Sequence, residues 1–298
     1  MTLKRVSVHI EPWLESLFVD PVTHERLERV GDAYASAGGF SYPVTTHGIP
    51  DFRIAPAEVE TDRWSEGQRD FELWLVSYLD QGEADEDYHA RELEADAVVY
   101  RDHPLSGAVL DVGGQMGFIR MYTEPERFAS IDPFVGVPEI YDRYTRVVAT
   151  YRLDRPLNFV GGVAEYLPFC NASFDGINMR SCIDHFADPV RALCEAWRVL
   201  RPGGRLVIGN SYDRPVDGAG ERPRWKAALR ALIGKDAPDT NAHDHHIYNP
   251  KSPEALRALL EGLGFAHQNT TAQRGLQRVF YSSFTRLPAH RYRFAGGR

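Results

Sequence analysis

Cysteine is scarce in this chain: Cys170, Cys182 and Cys194 are the only three among 298 residues. An odd and sparse set excludes a disulfide framework and points to a reducing cytoplasm. Long apolar runs are missing as well. Nothing approaches the roughly 20 residues that span a bilayer, and the start, Met1-Thr2-Leu3-Lys4-Arg5, lacks the apolar core of a secretion signal. Positive charge is in deficit. Lys and Arg number 34 against 42 Asp and Glu, a formal net charge of −8. Such a chain repels phosphate backbones on average, so a nucleic-acid partner would need a local basic patch. No internal repeat or low-complexity tract is present. What remains is an ordinary globular balance, 43% hydrophobic, 26% charged and 11% aromatic, which excludes wholesale disorder. At roughly 150 residues per domain, one large domain or two unequal ones are expected.

The first 55 or so residues carry short polar–apolar alternations broken by turn residues: Leu27 to Val30, Gly31-Asp32, Tyr34 to Ser36 and Gly38-Gly39, then Phe40 to Val44 and Gly48 to Phe52. They predict a small hairpin-rich module, too small for a large core of its own and expected to lean on its neighbour. Phe71, Trp74, Leu75, Tyr78 and Leu79 have the spacing of a helix with one buried face. Trp64, Trp74 and Tyr88 are accordingly expected in the core, although they could also line a pocket. Glu83 to Asp87 reads as a solvated loop, and a second helix is expected over Tyr88 to Tyr100. From residue 107 short apolar strands alternate with helices: Ala108–Val112, Phe128–Ile131, Phe159-Val160, Phe174–Met179 and Leu206–Ile208. This predicts a mostly parallel sheet covered on both faces. Val190, Leu193, Cys194, Trp197 and Leu200 form a helical stripe that stops at Arg201-Pro202-Gly203-Gly204. Ser252 can cap a helix with Pro253 at its first position and Leu256, Leu259, Leu260 and Leu263 on its buried face. His267–Thr271 and Val279–Thr285 read as a closing antiparallel pair.

The chemistry concentrates in Val109-Leu110-Asp111-Val112-Gly113-Gly114-Gln115-Met116-Gly117. A strand enters a glycine-rich turn, with a helix expected from Phe118. Glycines let a ligand approach the backbone closely. Asp132 stands 21 residues after Asp111, at the end of the next strand, where an acidic side chain can accept hydrogen bonds from both ribose hydroxyls. The combination is a nucleoside-binding signal of intermediate specificity.

Further segments follow in order: Gly162-Val163-Ala164-Glu165-Tyr166-Leu167-Pro168-Phe169, Asn171-Ala172-Ser173-Phe174-Asp175, His185-Phe186-Ala187-Asp188-Pro189 and Val199-Leu200-Arg201-Pro202-Gly203-Gly204. Over about residues 105 to 285 this set resembles the class I S-adenosylmethionine-dependent methyltransferases, specifically their small-molecule branch. The resemblance implies an α/β, Rossmann-like fold with a seven-stranded mostly parallel sheet, helices on both faces and an antiparallel final strand pair. It implies S-adenosylmethionine across the strand ends. Asp111, Gly113, Gly114, Gln115 and Gly117 would wrap the methionine part, and Asp132 would hold the ribose. Pro133 and Phe134 would flank the adenine, with Val163 and Ala164 at its edge and the Ala164 N–H as a donor. Arg180 and Ser181 would lie beside the sulfonium and the acceptor. The family loop usually has glycine where Gln115 stands, and an aspartate commonly meets the adenine amino group where Val163 stands. Gln115 could still hydrogen-bond the amino-acid moiety.

Asp20-Pro21-Val22-Thr23, Tyr42-Pro43-Val44 and Gly48-Ile49-Pro50-Asp51-Phe52 resemble the small zinc-ribbon module of Trm112-like proteins. Zinc forms of such ribbons use paired cysteines. None precedes Cys170 here, so the module, residues 1–60, is expected as a metal-free packing or substrate-lid element before a methyltransferase domain over 61–298.

An oxygen acceptor can need a base within hydrogen-bond reach. Candidates are His185, which the family often carries after the fourth strand in a structural or a catalytic role, and the run His243, Asp244, His245, His246. His245 or His246 could serve as base or substrate contact, and a polar loop capping the next helix explains the run as well. The ligand types would suit a metal, but adjacent residues cannot all converge on one ion, so none is expected. Residues 212–245 form an insertion expected to act as a lid, with Trp225, Leu229, Leu232 and Ile233 in a short amphipathic helix. Arg286, Arg291, Arg293 and Arg298 read as a frayed basic tail. The expected function is methyl transfer to an oxygen of a small metabolite or natural product. Nitrogen and carbon acceptors, an RNA or tRNA substrate, and a non-catalytic binding protein with a degenerate methyltransferase fold remain open, as does a homo-oligomer.

Overall fold

The computed structural model describes residues 6–54, 61–123, 125–212, 250, 252–273 and 279–288. The sequence-based expectations for Trp225, Leu229, Leu232 and Ile233, for His243 to His246, and for Arg291, Arg293 and Arg298 lie outside the described residues.

The amino-terminal module opens with a short helix, α1 (Pro12–Glu15). Three strands follow as an antiparallel meander: β1 (Leu27–Val30), β2 (Ala33–Ser36) and β3 (Ser41–Pro43). Gly31 takes φ 61° in the first turn, a left-handed conformation that glycine adopts at no steric cost. The two motifs noted in the sequence meet at one carboxylate. Asp20, fully buried, accepts hydrogen bonds from the N–H groups of Val22 (2.9 Å) and Thr23 (2.6 Å) and from the Tyr42 hydroxyl (2.8 Å). Phe18, Tyr34 and Phe52 pack edge-on or tilted at centroid distances of 5.0–5.8 Å. Thus an aspartate-centred turn and an aromatic cluster hold the meander.

Two long helices come next, α2 (Thr61–Ala84) and α3 (Glu86–Asp102). The expected loop at Glu83–Asp87 is instead a helix junction. Asp85 caps α3, its side chain accepting from the Asp87 N–H at 2.9 Å. Within α2, Leu75 and Leu79 are buried, whereas Trp74 is 56% exposed and does not join the core. The stripe is therefore narrower than its spacing suggests, and Trp74 stacks on Tyr78 along the helix surface. Tyr88 is half-buried and meets Tyr78 edge-on.

The main sheet contains β4 (Ala108–Val112), β5 (Arg127–Asp132), β6 (Asn158–Gly161), β7 (Phe174–Arg180), β8 (Leu200–Ser211), β9 (Phe265–Gln273) and β10 (Val279–Arg286). Their spatial order is β6-β5-β4-β7-β8-β10-β9, parallel except for β10 against both neighbours. The expected seven-stranded α/β sheet and antiparallel closing pair are both present. Apolar side chains fill both faces. Val109, Leu110, Ile177, Met179, Val207 and Ile208 are all fully buried, the pattern of strands covered from both sides. Between strands lie α4 (Arg120–Thr123), α5 (Val137–Tyr141), α6 (Thr145–Thr150), α7 (Pro189–Val199) and α8 (Pro253–Gly262). Asp188 caps α7 and Ser252 caps α8, each ahead of a proline. Val190 is 43% exposed rather than buried; Ala192, Leu193, Ala196 and Val199 carry the inner face. Arg286 is no frayed tail. It is a buried residue of β10 whose guanidinium lies 3.7 Å from the Trp197 ring centre and bonds the Leu200 carbonyl.

Strand β6 is the sheet's outer edge on one side, and the module covers it. His9 donates to the Leu157 carbonyl and Leu157 to that of Ser7, while Phe52 and Gly161 exchange bonds with Gly161 and Pro50. Leu14, Phe18, Leu27, Tyr34 and Phe52 share one apolar cluster with Leu110, Ile131, Phe169 and Ile177. Unpaired strand edges template unwanted pairing, and here the module satisfies that edge.

Candidate active site

The sheet order reverses around β4, whose neighbours β5 and β7 lead to opposite edges. Ligands of open α/β sheets sit at such a switch point, beyond the carboxyl ends of the strands. Asp111, Gly113, Gly114, Gln115, Asp132, Arg180 and Ser181 all fall there.

The turn after β4 is tight. Gly113 adopts φ 68° and Gly117 φ 69°. A Cβ on Gly113 would stand 2.7 Å from Cys182 Cβ, and one on Gly114 would stand 2.0 Å from the Asp111 carboxylate. Both glycines therefore bring backbone close to neighbouring groups in a way no side chain permits. Gln115 occupies φ 47°, which accounts physically for the glycine usual at this point. Three hydrogen bonds hold it there. Its N–H donates to Asp132 Oδ2 (3.1 Å), its carbonyl accepts from Ser130 Oγ (2.8 Å), and its carboxamide oxygen accepts from the Tyr141 hydroxyl (2.9 Å). Of the Gln115 carboxamide, expected to hydrogen-bond the amino-acid moiety, the oxygen is engaged by Tyr141. The helix expected from Phe118 is only the single turn of α4. Residues 115–119 are turns, ordered by Phe118 stacking on Tyr151 at 4.2 Å.

Two carboxylates are sunk in this crevice. Asp132 is 2% exposed and also accepts the Phe134 N–H on Oδ1 at 2.9 Å. Burial pushes its carboxyl up to about 6, against the pull of the two N–H bonds. Asp111 is 1% exposed, and burial pushes it up to about 7, against a 2.8 Å bond from Asn178 Nδ2. Desolvating a carboxylate is costly, so two of them at adjacent strand ends mark a place built for a polar ligand. Phe134 lies beside them, stacked on Phe71 at 4.4 Å and 8°. Val163 and Ala164 are buried beyond β6.

On the other side of β4, Ser181 takes φ 50° and Arg180 pairs with Asp96 of α3. His185 follows in a short 3-10 turn, 34% exposed, its Nε2 3.8 Å from the largely buried Asp184 carboxylate. His245 and His246 lie outside the described residues. Among the described residues no group of three or more His, Cys, Asp or Glu is placed to hold a metal ion, and no helix is long and apolar enough to cross a membrane.

Asn178, Tyr100 and Tyr141 are site-forming residues that sequence reasoning passed over. Asn178 carries a readable signal, a carboxamide inside the apolar run Phe174–Met179. Its Oδ1 accepts from the Tyr100 hydroxyl at 3.1 Å while its Nδ2 orients Asp111. Tyr141 and Tyr100 carry none, because only the fold brings them to the turn.

Comparison with known proteins finds a family model that matches over the same stretch of chain, together with relatives. Residues 110–208 match the family model described as a methyltransferase domain. The chain is 33% identical over 168 residues to an uncharacterised methyltransferase of Mycobacterium tuberculosis, covering 51% of this chain and 62% of that one. It is 39% identical over 140 residues to the demethylmenaquinone methyltransferase of Deinococcus radiodurans, covering 43% and 55%. The chain thus spans about 55–62% of the length of these relatives. Among solved structures, the Burkholderia thailandensis 1,6-didemethyltoxoflavin-N1-methyltransferase with bound 1,6-didemethyltoxoflavin and S-adenosylhomocysteine is similar at 16% identity. It has a TM-score of 0.48, with 88% of this chain and 99% of that one covered. That likeness is loose, and the reading of the fold rests on strand order. The matched stretch runs from the middle of β4 into β8 and takes in the glycine turn, Asp132 and Asn178.

Proposed function

We propose that the chain binds S-adenosylmethionine in the crevice at the ends of β4 and β5 and directs its methyl group to a small-molecule acceptor. The carrying observation is the buried Asp132 carboxylate set against the Gly113–Gln115 turn. Its backbone bonds to Gln115 and Phe134 fix it in place, and each carboxylate oxygen keeps a further lone pair for a ribose hydroxyl. Gly113 and Gly114 press the turn's backbone against Cys182 and Asp111 where any Cβ would clash, and this side-chain-free turn beside Asp132 fits the donor.

When bound, the donor supplies a methyl group on a cationic sulfur: the acceptor's electron pair forms the new bond to carbon while the carbon–sulfur pair stays on sulfur. The chain's own part is placement, which supplies much of the rate in such a displacement. Asp111, oriented by Asn178, faces the methionine part. Phe134, Val163 and Ala164 offer the apolar surface for adenine. Arg180 and Ser181 border the acceptor side. His185 is the described residue suited to take a proton from a hydroxyl acceptor. An oxygen of a metabolite is the preferred acceptor. The relatives named for demethylmenaquinone and for C-methylation make a carbon acceptor the second reading.

Calorimetric titration with S-adenosylhomocysteine and with S-adenosylmethionine tests the proposal. One-to-one saturable binding of both is expected. Absence of binding at millimolar ligand would leave a methyltransferase fold without its cofactor and overturn the reading.

A further inference from the structure

Beside the donor crevice lies a second polar cluster that the placement of the donor does not use. Arg180 of β7 stands opposite Gly209 of β8, and Gly209 stands opposite Tyr281 of β10. A Cβ on Gly209 would lie 2.5 Å from the Tyr281 ring, so this glycine is what lets the ring lie across the sheet next to Arg180. Over the row sits α3. Its Asp96 carboxylate takes Arg180 Nη1 on one oxygen and Gln273 Nε2, at 3.1 Å, on the other. Its Tyr100 ring stacks on Tyr122 at 5.6 Å and 10°, and meets Tyr281 edge-on at 6.4 Å. Tyr100 also bonds Asn178, the residue that orients Asp111. The cluster therefore adjoins the donor crevice through shared side chains.

Its chemistry is one-sided. The hydroxyls of Tyr122 and Tyr281 are shielded from solvent and make no hydrogen bond among the described residues. Tyr281 itself is fully buried. An unsatisfied buried hydroxyl costs free energy and calls for an explanation. Arg180 spends one nitrogen on Asp96 and makes no other hydrogen bond among the described residues, while its side chain remains 30% accessible. Both Asp96 oxygens are engaged already. What the cluster still offers is donors: the rest of a planar guanidinium fork, whose geometry matches an oxyanion, and two phenolic hydroxyls. The Arg180 charge acts on both phenols, opposing the rise that burial imposes on them.

We propose that Arg180, Tyr122 and Tyr281 anchor the methyl acceptor, and that the group they hold is an anionic oxygen, a carboxylate or the oxygen of an acidic enol or phenol. The inference rests on the methyltransferase reading, since it takes the adjoining crevice as the donor's. It assigns a recognition role to Arg180 in addition to its ion pair with Asp96, and it predicts discrimination against amines and neutral esters of the same shape.

The test uses the full chain saturated with S-adenosylhomocysteine and three probes of similar size: 4-hydroxybenzoate, its methyl ester and 4-hydroxybenzylamine. The carboxylate is expected to bind about tenfold or more tightly than either other probe, the scale of a hydrogen bond to a charged group. Arg180→Gln should abolish that preference. Tyr281→Phe and Tyr122→Phe should each weaken carboxylate binding several-fold. S-adenosylhomocysteine affinity should change less than about twofold throughout. Because Arg180→Gln strips Asp96 of its cation, Asp96→Asn/Arg180→Gln is measured beside it, with circular dichroism to verify folding. Equal binding of the three probes, no binding of the carboxylate, or an unchanged preference in the folded double variant overturns the proposal. Loss of S-adenosylhomocysteine affinity in Arg180→Gln would move Arg180 to the donor and also overturn it, leaving the methyltransferase reading intact. Failure of the parent chain to bind S-adenosylhomocysteine would instead sink that reading itself.

Discussion

The amino-terminal module and the crevice at the ends of β4 and β5 are built on opposite principles. In the module, Asp20 meets three donors, Tyr34 bonds Glu15, and the aromatic rings close on one another. Its backbone completes the β6 edge. In the crevice burial wins over hydrogen bonding and pushes both Asp111 and Asp132 up, whereas the bonds to the equally buried Asp20 win and hold it below its usual range. Left-handed backbone occurs in both regions, at Gln115 and at His24. Uncompensated desolvation persists only where surrounding structure imposes it, and it gathers at functional sites. The difference teaches which part of the chain supports and which part acts.

That contrast can be broken experimentally. The largest effect is expected in the module. Phe52→Ala should cost about 3–5 kcal/mol of stability, the range for removing a buried aromatic ring. Denaturant unfolding measures it, and the folded fraction should keep its S-adenosylhomocysteine affinity. A loss of affinity in folded protein would make the module part of the site.

Asp132→Ala should do the reverse, weakening S-adenosylhomocysteine by about 1.5–3 kcal/mol, roughly 10- to 100-fold. Calorimetry on the folded variant reads it, and an unchanged dissociation constant would remove Asp132 from the ribose.

A smaller effect sharpens the comparison through pH. Asp132 titrates near 6 in the folded chain, above the roughly 3.9 of an unfolded aspartate. Below about pH 3 both states are protonated and the group costs nothing. As pH rises towards 6 the unfolded state releases its proton first, so this group lowers stability over that window. Relative to Asp132→Asn, the ligand-free protein should therefore lose on the order of 2–3 kcal/mol between pH 3 and 7. Thermal melts of both proteins across that range would show it. A flat difference would mean Asp132 is ionised throughout.

Much of the sheet was legible in the sequence because buried strands leave continuous apolar runs, as at Val109 to Val112 and Phe174 to Met179, and because Asp188-Pro189 and Ser252-Pro253 announce helix starts by local chemistry. The crevice was legible where backbone constraint selects residue type, at Gly113, Gly114 and Asp132. It was not legible where tertiary contact decides. Nothing local tells that Tyr141 holds Gln115, that Trp74 turns outward from a helix with a buried stripe, or that Arg286 packs inside on Trp197 rather than trailing in a basic tail. Asn178 lies between these cases, visible as a polar residue in an apolar strand but without an assignable partner until β4 is placed beside it.

The central claim is that the Gly113–Gln115 turn and Asp132 together grip an adenosyl donor. A crystal structure of the chain with S-adenosylhomocysteine tests it most directly. Both ribose hydroxyls are expected within hydrogen-bond distance of the Asp132 carboxylate, with the amino-acid end against the turn. An adenosyl group bound elsewhere, or a ribose facing away from Asp132, would contradict it.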